Sequence, residues 1–504
     1  MLAFPWAGSR PSRSRRAPVR RRSHRKRTDM SQPDVHGPAS APPPSSPGDL
    51  VPARRIMTPT VIGWAFWDWG SAAFNAVATT FVFSVYLTSG AFADKVTSSE
   101  HLSLGLTVAG VLIALLAPVT GQRADRRGRG GVWLGWFTAA VVVCMALMFF
   151  VAPEGPLGGM RGLWLGIALL GMGNIFFEFA SVNYNAMLNH ISDRSTMGRV
   201  SGLGWGMGYV GGIVLLLFLF VAFINPEVGL FGVTHDNGMN IRVSMLFAAA
   251  WFAVFATPVI LNPPRPHHHG GDDGREPIWD SYRRLWGTVV SLARNAPHAL
   301  SFLIASAVFR DGLAGVFTFG AILAGTVFGF SASEVILFAI AANVVAGLAT
   351  IGFGTLDDRF GPKRVIVLSL AVMVLSGTGV FLLHSLGKPV FWVLGLLLCV
   401  FVGPAQSASR SFLGRVIPEG REGEVFGLYA TTGRAVSFLS PLMYGLSIRI
   451  GRHLTPEGQD PTHWGILGIV LILAIGLVLV LPIRQDRAHL DIYEDEGGAA
   501  SARS

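Results

Sequence analysis

Charge is scarce in this chain. Of 504 residues only 14% are Asp, Glu, Lys or Arg, while 51% are hydrophobic. A soluble chain of ordinary composition carries about a quarter charged residues, so a string of soluble domains is excluded. Cysteine is rarer still. Cys144 and Cys399 both fall inside apolar runs, and neither a disulfide framework nor a zinc site is indicated. Histidine is nearly missing from those runs, and no His-x-x-x-His pair or Gly-x-Ser-x-Gly elbow occurs within them. General-base chemistry would then rest on lone carboxylates, so an intramembrane enzyme is not expected, and no cofactor is implied. The lack of an ATP-binding loop argues equally against a primary pump.

The formal charge of +10 suggests nucleic acid until its location is examined. Ten of the 40 Lys and Arg residues precede Met30, and the rest of the chain is close to neutral. Basicity belongs to a leader and not to the body, so no nucleic-acid partner is expected. No apolar stretch follows these arginines directly, which speaks against a cleaved secretory signal. Residues 33–52 are rich in Pro, Ser and Ala, a composition of disordered linkers. The whole of 1–58 reads as a solvated tail, with Met30 or Met57 as alternative starts.

What fills the remainder is a series of apolar runs of about 20 residues, the length that crosses a bilayer. They lie near 61–89, 102–120, 132–151, 161–189, 200–224 and 242–261, then near 298–329, 334–353, 364–386, 389–413, 424–447 and 463–483. Numbered in that order, they predict an all-α membrane protein of twelve transmembrane helices in two six-helix halves. The halves cover 59–261 and 298–483, with a linker at 262–297 and a tail at 484–504. Lys and Arg crowd the even side of this arrangement: Arg123, Arg126, Arg127 and Arg129 in one loop, Arg359, Lys363 and Arg364 in its counterpart, and Arg194, Arg199, Arg415 and Arg421 in others. By the positive-inside rule both termini are cytoplasmic. In the linker, His267, His268 and His269 beside Asp272 and Asp273 read as solvated chain rather than a metal site. From Ile278, apolar residues recur at helical spacing (Tyr282, Leu285, Trp286, Val289) opposite Ser281, Arg283 and Arg284, predicting an amphipathic helix at the membrane surface.

The loop between spans 2 and 3 reads Gly121-x-x-x-Asp125-Arg126-x-Gly128-Arg129. The loop between spans 8 and 9 reads Gly354-x-x-x-Asp358-Arg359-x-Gly361. One such loop is only a basic turn, but two copies in register form an internal repeat of the kind transporters carry. An Asp beside an Arg at a helix end can pair across the two halves or face a helix N-terminus, and so hold one side shut. These loops resemble the signature of the major facilitator superfamily, where such loops are associated with conformational switching. Further segments narrow the likeness: Trp64-Ala65-Phe66-Trp67-Asp68-Trp69-Gly70 in span 1, Gly202-Leu203-Gly204-Trp205-Gly206-Met207-Gly208 in span 5, Arg310-Asp311-Gly312 in span 7 and Gln406-Ser407-Ala408-Ser409-Arg410 in span 10. Together they resemble the vacuole-effluxer branch over about 59–482. That resemblance implies the major facilitator fold and, from the branch's fungal members, export of amino acids. The span 1 segment departs from the branch's usual form in its Phe-Trp before the Asp and its Gly after the second Trp.

An ionisable side chain inside a span is costly and is a functional candidate by default. Six qualify: Asp68, Glu178, Arg310, Asp311, Arg410 and Arg434. Five of them lie on spans 1, 4, 7 and 10, which line the central cavity in the resembled fold. Asp68, Ser71, Asn75 and Thr79 form a helical stripe on span 1. Asn174, Glu178, Ser181 and Asn185 form another on span 4, and Gln406 stands one turn from Arg410. Such stripes are expected to face a wet cavity and not lipid. Glu178 is the leading candidate for a proton carrier, since a half-buried carboxylate in mid-membrane is costly to keep charged. Arg310 and Arg434 are candidate anchors for an anionic group, and the Arg310-Asp311-Gly312 step suggests a locally loosened helix. Gly204, Gly208 and Gly212 share one face of span 5 and read as a packing surface. The sequence therefore points to a monomeric, proton-coupled secondary transporter of a small polar solute. A drug or metabolite antiporter and a transporter-like sensor without flux are the alternatives.

Overall fold

The computed structural model describes residues 57–484, except Arg127, Arg194, 265–277, Ser331, 418–420 and 457–460. The basic leader, the histidine tract and the C-terminal tail lie outside the described residues, as do the side chains of Asp125 and Arg126.

Among the described residues eleven helices are long and apolar enough to cross a bilayer. The first six spans are Pro59–Leu87, Leu104–Ala124, Gly130–Phe150, Met160–Ile191, Met197–Ile224 and Asp236–Leu261. Then come span 7 (Pro297–Thr326), span 8 (Leu337–Phe360), span 9 (Pro362–Leu382), span 10 (Lys388–Val416) and span 12 (Pro461–Val480). Span 11 completes the twelve in two pieces, Glu422–Val436 and Leu439–Leu454. Neither piece alone is long enough to cross.

Local sequence sets the helix ends. Thr58 caps span 1, its hydroxyl accepting the Val61 N–H at 3.2 Å, with Pro59 at the first helical position, where a missing N–H costs nothing. The repeated basic loops turn on glycines with positive φ, +57° at Gly128 and +87° at Gly361, conformations that side-chain-bearing residues adopt only with strain. Thus the two copies share a positive-φ glycine, although Gly361 directly precedes span 9 and Gly128 stands two residues before span 3.

The two halves meet along two glycine-lined seams near these loops. On one, Gly198 of span 5 lies against Gly354 and Asp357 of span 8, and Gly206 against Ile351 and Gly347. A methyl group at Gly202 would stand 2.6 Å from the Thr350 carbonyl oxygen. On the other seam, Gly121 of span 2 abuts Gly423 of span 11, and Gly427 abuts Pro118. Pro118 cannot donate to the carbonyl four residues back, and that carbonyl, Ala114 O, accepts the Thr431 hydroxyl of span 11 at 3.0 Å. The expected packing face of span 5 is present as well. Gly204 meets Trp64 and Asp68, Gly208 meets Asp68, and Gly212 meets Ala72 of span 1.

Span 7 corrects one expectation. It is continuous α-helix from Pro297 to Thr326, with no loosening at Arg310-Asp311-Gly312. Irregular backbone falls elsewhere, in π-helical stretches at Ala73–Phe81 of span 1, Phe220–Ile224 of span 5 and Phe391–Gly395 of span 10, and in the break of span 11. The linker helix occupies Ile278–Asn295. Its Leu285 and Val289 pack on a core to which both halves contribute, and the Tyr282 hydroxyl donates to Leu115 O of span 2 at 2.9 Å. Trp279 and Trp286 are left 82% and 70% exposed.

Gly202→Val should fold yet prevent the span 5–span 8 seam from closing. In a background lacking Cys144 and Cys399, a Ser407→Cys thiol should resist a maleimide when Gly202 is present and react when it is Val. Equal protection in both would show that the seam tolerates the added bulk.

Candidate functional site

The basic loops define one end of the bundle, and there the buried charges of opposite halves find each other. Arg410, near the end of span 10, is only 3% exposed, so it does not snorkel to the surface. Its guanidinium donates to the Ser201 carbonyl at 2.6 Å, the Ser201 hydroxyl at 3.0 Å and Asn185 Oδ1 at 3.2 Å. Asp68 Oδ2 lies 3.5 Å away and also accepts the Tyr184 hydroxyl at 2.9 Å. The guanidinium carbon sits 5.0 Å from the Trp64 ring centroid, 5.7 Å from Trp205 and 5.8 Å from Tyr184, within cation–π range. One cation from the second half is thus enclosed by spans 1, 4 and 5 of the first. Ser407 adds a hydroxyl–hydroxyl bond of 3.1 Å to Ser201.

A second cross-half contact lies one layer further out. Asp358, at the end of span 8, accepts the Gly198 N–H at 2.7 Å and the Arg199 N–H at 3.2 Å. A carboxylate on the free amides of a helix N-terminus meets both unsatisfied donors and the positive end of the dipole. Arg199 Nε binds the same carboxylate at 2.6 Å, and Arg415 of span 10 reaches it at 3.0 Å. Arg415 also pairs with Asp357 at 2.9 Å, and Asp357 accepts the Ser411 hydroxyl. Arg359, the Arg of the repeated motif, is exposed and lies over the Phe360 ring. The equivalent contact of Asp125 and Arg126 lies outside the described side chains. Arg129 is exposed.

Deeper in the bundle, Arg434 of span 11 meets Glu178 and Asn174 of span 4, each at 3.2 Å. Glu178 and Arg434 keep 18% and 33% of their side-chain surface exposed. The Arg310 guanidinium stacks 3.7 Å above the Tyr429 ring and donates to Tyr429 O at 3.1 Å. Among the described residues no carboxylate pairs with it. Asp311 turns away from its neighbour and accepts the Ser440 N–H at 2.6 Å, capping the second piece of span 11. Adjacent residues of span 7 therefore do unrelated work, one capping a helix and one offering a cation.

On span 4, Asn174 and Glu178 meet Arg434 and Asn185 meets Arg410. The span 1 stripe does not stay aligned. Ser71 is buried and bonds to Asp68 O, whereas Asn75 is exposed beyond the start of the π-helical stretch, whose wider turn shifts the register. Gln406 is half-buried. Sequence reasoning missed Arg199 and Arg415, which read as ordinary loop charges, and Tyr184, Ser201 and Tyr429, which carry no formal charge. Asp357, next to Asp358, was the available signal. A cavity of about 550 Å³ lies elsewhere, between span 5 and the loop after it, lined by apolar residues such as Val214, Phe218 and Val221.

Asp358→Asn removes the charge that two arginines share. Because breaking a buried ion pair leaves an uncompensated charge, about 3 kcal/mol or more of stability should go with it. Thermal unfolding of purified protein should show a fall in Tm for Asp358→Asn and none for Arg359→Ala. Equal Tm values for the two variants would remove Asp358 from this role.

Comparison with known proteins follows the same lines. Residues 96–491 match the family model described as "Vacuole effluxer Atg22 like". The chain is 25% identical over 424 residues to the "Uncharacterized MFS-type transporter YxiO" of Bacillus subtilis (strain 168), covering 83% of this chain and 93% of that protein. It is 26% identical over 319 residues to Autophagy-related protein 22 of Coccidioides immitis, covering 59% of this chain and 50% of the fungal protein, so it spans about half the length of that relative. Among solved structures, the proton:xylose symporter XylE superposes with a TM-score of 0.63 at 11% identity, covering 84% of this chain and 94% of that one. An outward-facing bacterial homologue of the iron transporter ferroportin gives 0.61 at 16%, covering 85% and 99%. The twelve-helix arrangement is that of the major facilitator transporters, and by its sequence the chain belongs to their Atg22-like vacuole-effluxer family.

Proposed function

We propose that this protein is a secondary active transporter that moves a small polar solute by rocking one six-helix half against the other, closed here at its basic end. The observation that carries the reading is the Arg410 enclosure. A buried charge whose partners all belong to the other half is a bond that rocking must break and remake. The two glycine seams support it, since small residues let backbones meet closely without intertwined side chains. In this reading the basic end is cytoplasmic, on the distribution of Lys and Arg. The halves are 59–261 and 298–483.

Glu178 is the proposed proton carrier. It stays partly exposed, and its partner Arg434 is on the other half, so loss of its charge would release a cross-half pair. Arg310 and Arg434 are the proposed anchors for an anionic group of the solute. Arg310 in particular presents a stacked guanidinium with unused N–H donors, suited to bidentate binding of a carboxylate. Amino acids are the first solutes to test.

In proteoliposomes, Glu178→Gln should abolish flux driven by a proton gradient, because an amide cannot carry the proton. Wild-type rates in this variant would dismiss Glu178 as the carrier. Solute identity is best sought by thermal shift with amino acids, sugars and nucleosides on purified protein. The ligand should raise the Tm of the native protein and leave that of Arg310→Ala unmoved. An equal shift in the variant would place the solute away from Arg310. A ligand that binds without ever crossing the membrane would point to a sensor.

A further inference from the structure

We infer that the pocket now filled by the Arg410 guanidinium is a binding site for a guanidinium- or amidinium-bearing organic cation once span 10 withdraws. The inference rests on the rocking mechanism proposed above and adds a substrate class to it.

Every group lining the pocket belongs to one half. Asp68 and Trp64 are on span 1, Tyr184 and Asn185 on span 4, Ser201 and Trp205 on span 5. Three of them are fixed by contacts among themselves. Trp64 and Tyr184 stack with centroids 4.4 Å apart, Trp64 Nε1 donates to Tyr184 O at 3.1 Å, and Tyr184 holds Asp68 at 2.9 Å. Gly204 lies beside Trp64, Asp68 and Arg410, so the wall has no side chain of its own to fall into the space. From the other half come the occupant and Ser407, which bonds the Ser201 hydroxyl. When span 10 moves away, the frame of Trp64, Tyr184 and Asp68 stays and the charge balance is lost.

What remains is an acceptor-rich, aromatic-walled cleft. Asp68 Oδ2, Asn185 Oδ1, and the hydroxyl and carbonyl of Ser201 are the four acceptors that bind Arg410. They meet a planar cation carrying several N–H donors, and the rings of Trp64, Tyr184 and Trp205 favour a weakly hydrated delocalised charge over a compact one. Trp205 also carries a buried Nε1–H without an acceptor among the described residues, a donor left over for a polar atom of the occupant. Leaving Asp68 bare inside a membrane is costly, which gives an incoming cation its advantage over an empty pocket. Arg410 thus behaves as a tethered surrogate for the ligand, displaced by it at one end of the cycle and displacing it at the other.

Purified full-length protein can be titrated with methylguanidinium, using urea as the neutral isostere and tetramethylammonium as a cation without N–H donors. Arg410→Ala, whose pocket has lost its tether, should bind methylguanidinium at least tenfold more tightly than the wild type, read by tryptophan fluorescence and thermal shift. Urea and tetramethylammonium should not bind, and adding Asp68→Asn should abolish the effect. Should Arg410→Ala not fold, Arg410→Met, which keeps an apolar stem and removes the guanidinium, should show the same gain over wild type. Equal response to urea or tetramethylammonium, or no binding in any folded variant, overturns the inference. Flux assays separate the two proposals. Methylguanidinium binding without flux of any solute supports the pocket and removes the transporter reading, whereas flux without such binding does the reverse.

Discussion

A charge inside a bilayer needs a partner, and in this protein the partner tends to belong to the other half of the molecule. Arg410 reaches spans 1, 4 and 5, Asp358 reaches the start of span 5, and Arg434 reaches Glu178. Such pairs are poor devices for stability, because desolvating both ions offsets much of their attraction. They are good devices for making two states distinct. Separation of the halves leaves each ion exposed to its own penalty until water, a proton or a ligand arrives. The glycine seams serve the same end by bringing backbones close enough for short polar contacts to form. Thr431 on the carbonyl freed by Pro118 is one such contact, and the Asp358 carboxylate on the bare amides of Gly198 and Arg199 is another.

Two contacts at the basic end differ in kind. Asp358 sits on backbone amides and on Arg199 and Arg415 near the helix ends, where loops can give way. Arg410 is sealed among aromatic rings further in. In the proposed rocking the two act in series, the outer contact parting first and the sealed cation after it.

Much of this was legible in the sequence. Apolar run length predicts every span, and the duplicated Gly-Asp-Arg loops predict that two halves close on each other. The same loops carry matching positive-φ glycines at Gly128 and Gly361. Asp68, Glu178, Arg310, Arg410 and Arg434 stand out because charge is rare inside spans. The partners are harder to see. Ser201, Tyr184 and Tyr429 are ordinary residues until a second helix arrives, and Arg199 and Arg415 resemble the many arginines of basic loops. Helical periodicity also misleads wherever the helix is not α. The π-helical stretch after Ala72 separates Asn75 from Asp68, and the break of span 11 supplies the N–H that Asp311 caps. The break of span 11 does carry a mark, Pro441 in the first turn of its second piece, whereas the π-helical stretch holds neither Pro nor Gly to signal it.

The account depends on the two halves parting at the basic end during each cycle. Ser201 and Ser407 face each other across that boundary with hydroxyls 3.1 Å apart, and cysteines at both positions could be oxidised to a disulfide in a background without Cys144 and Cys399. Flux measured in proteoliposomes before and after oxidation tests the claim directly. The account predicts that the cross-linked protein carries no solute and recovers on reduction. Undiminished flux through fully cross-linked protein would contradict it.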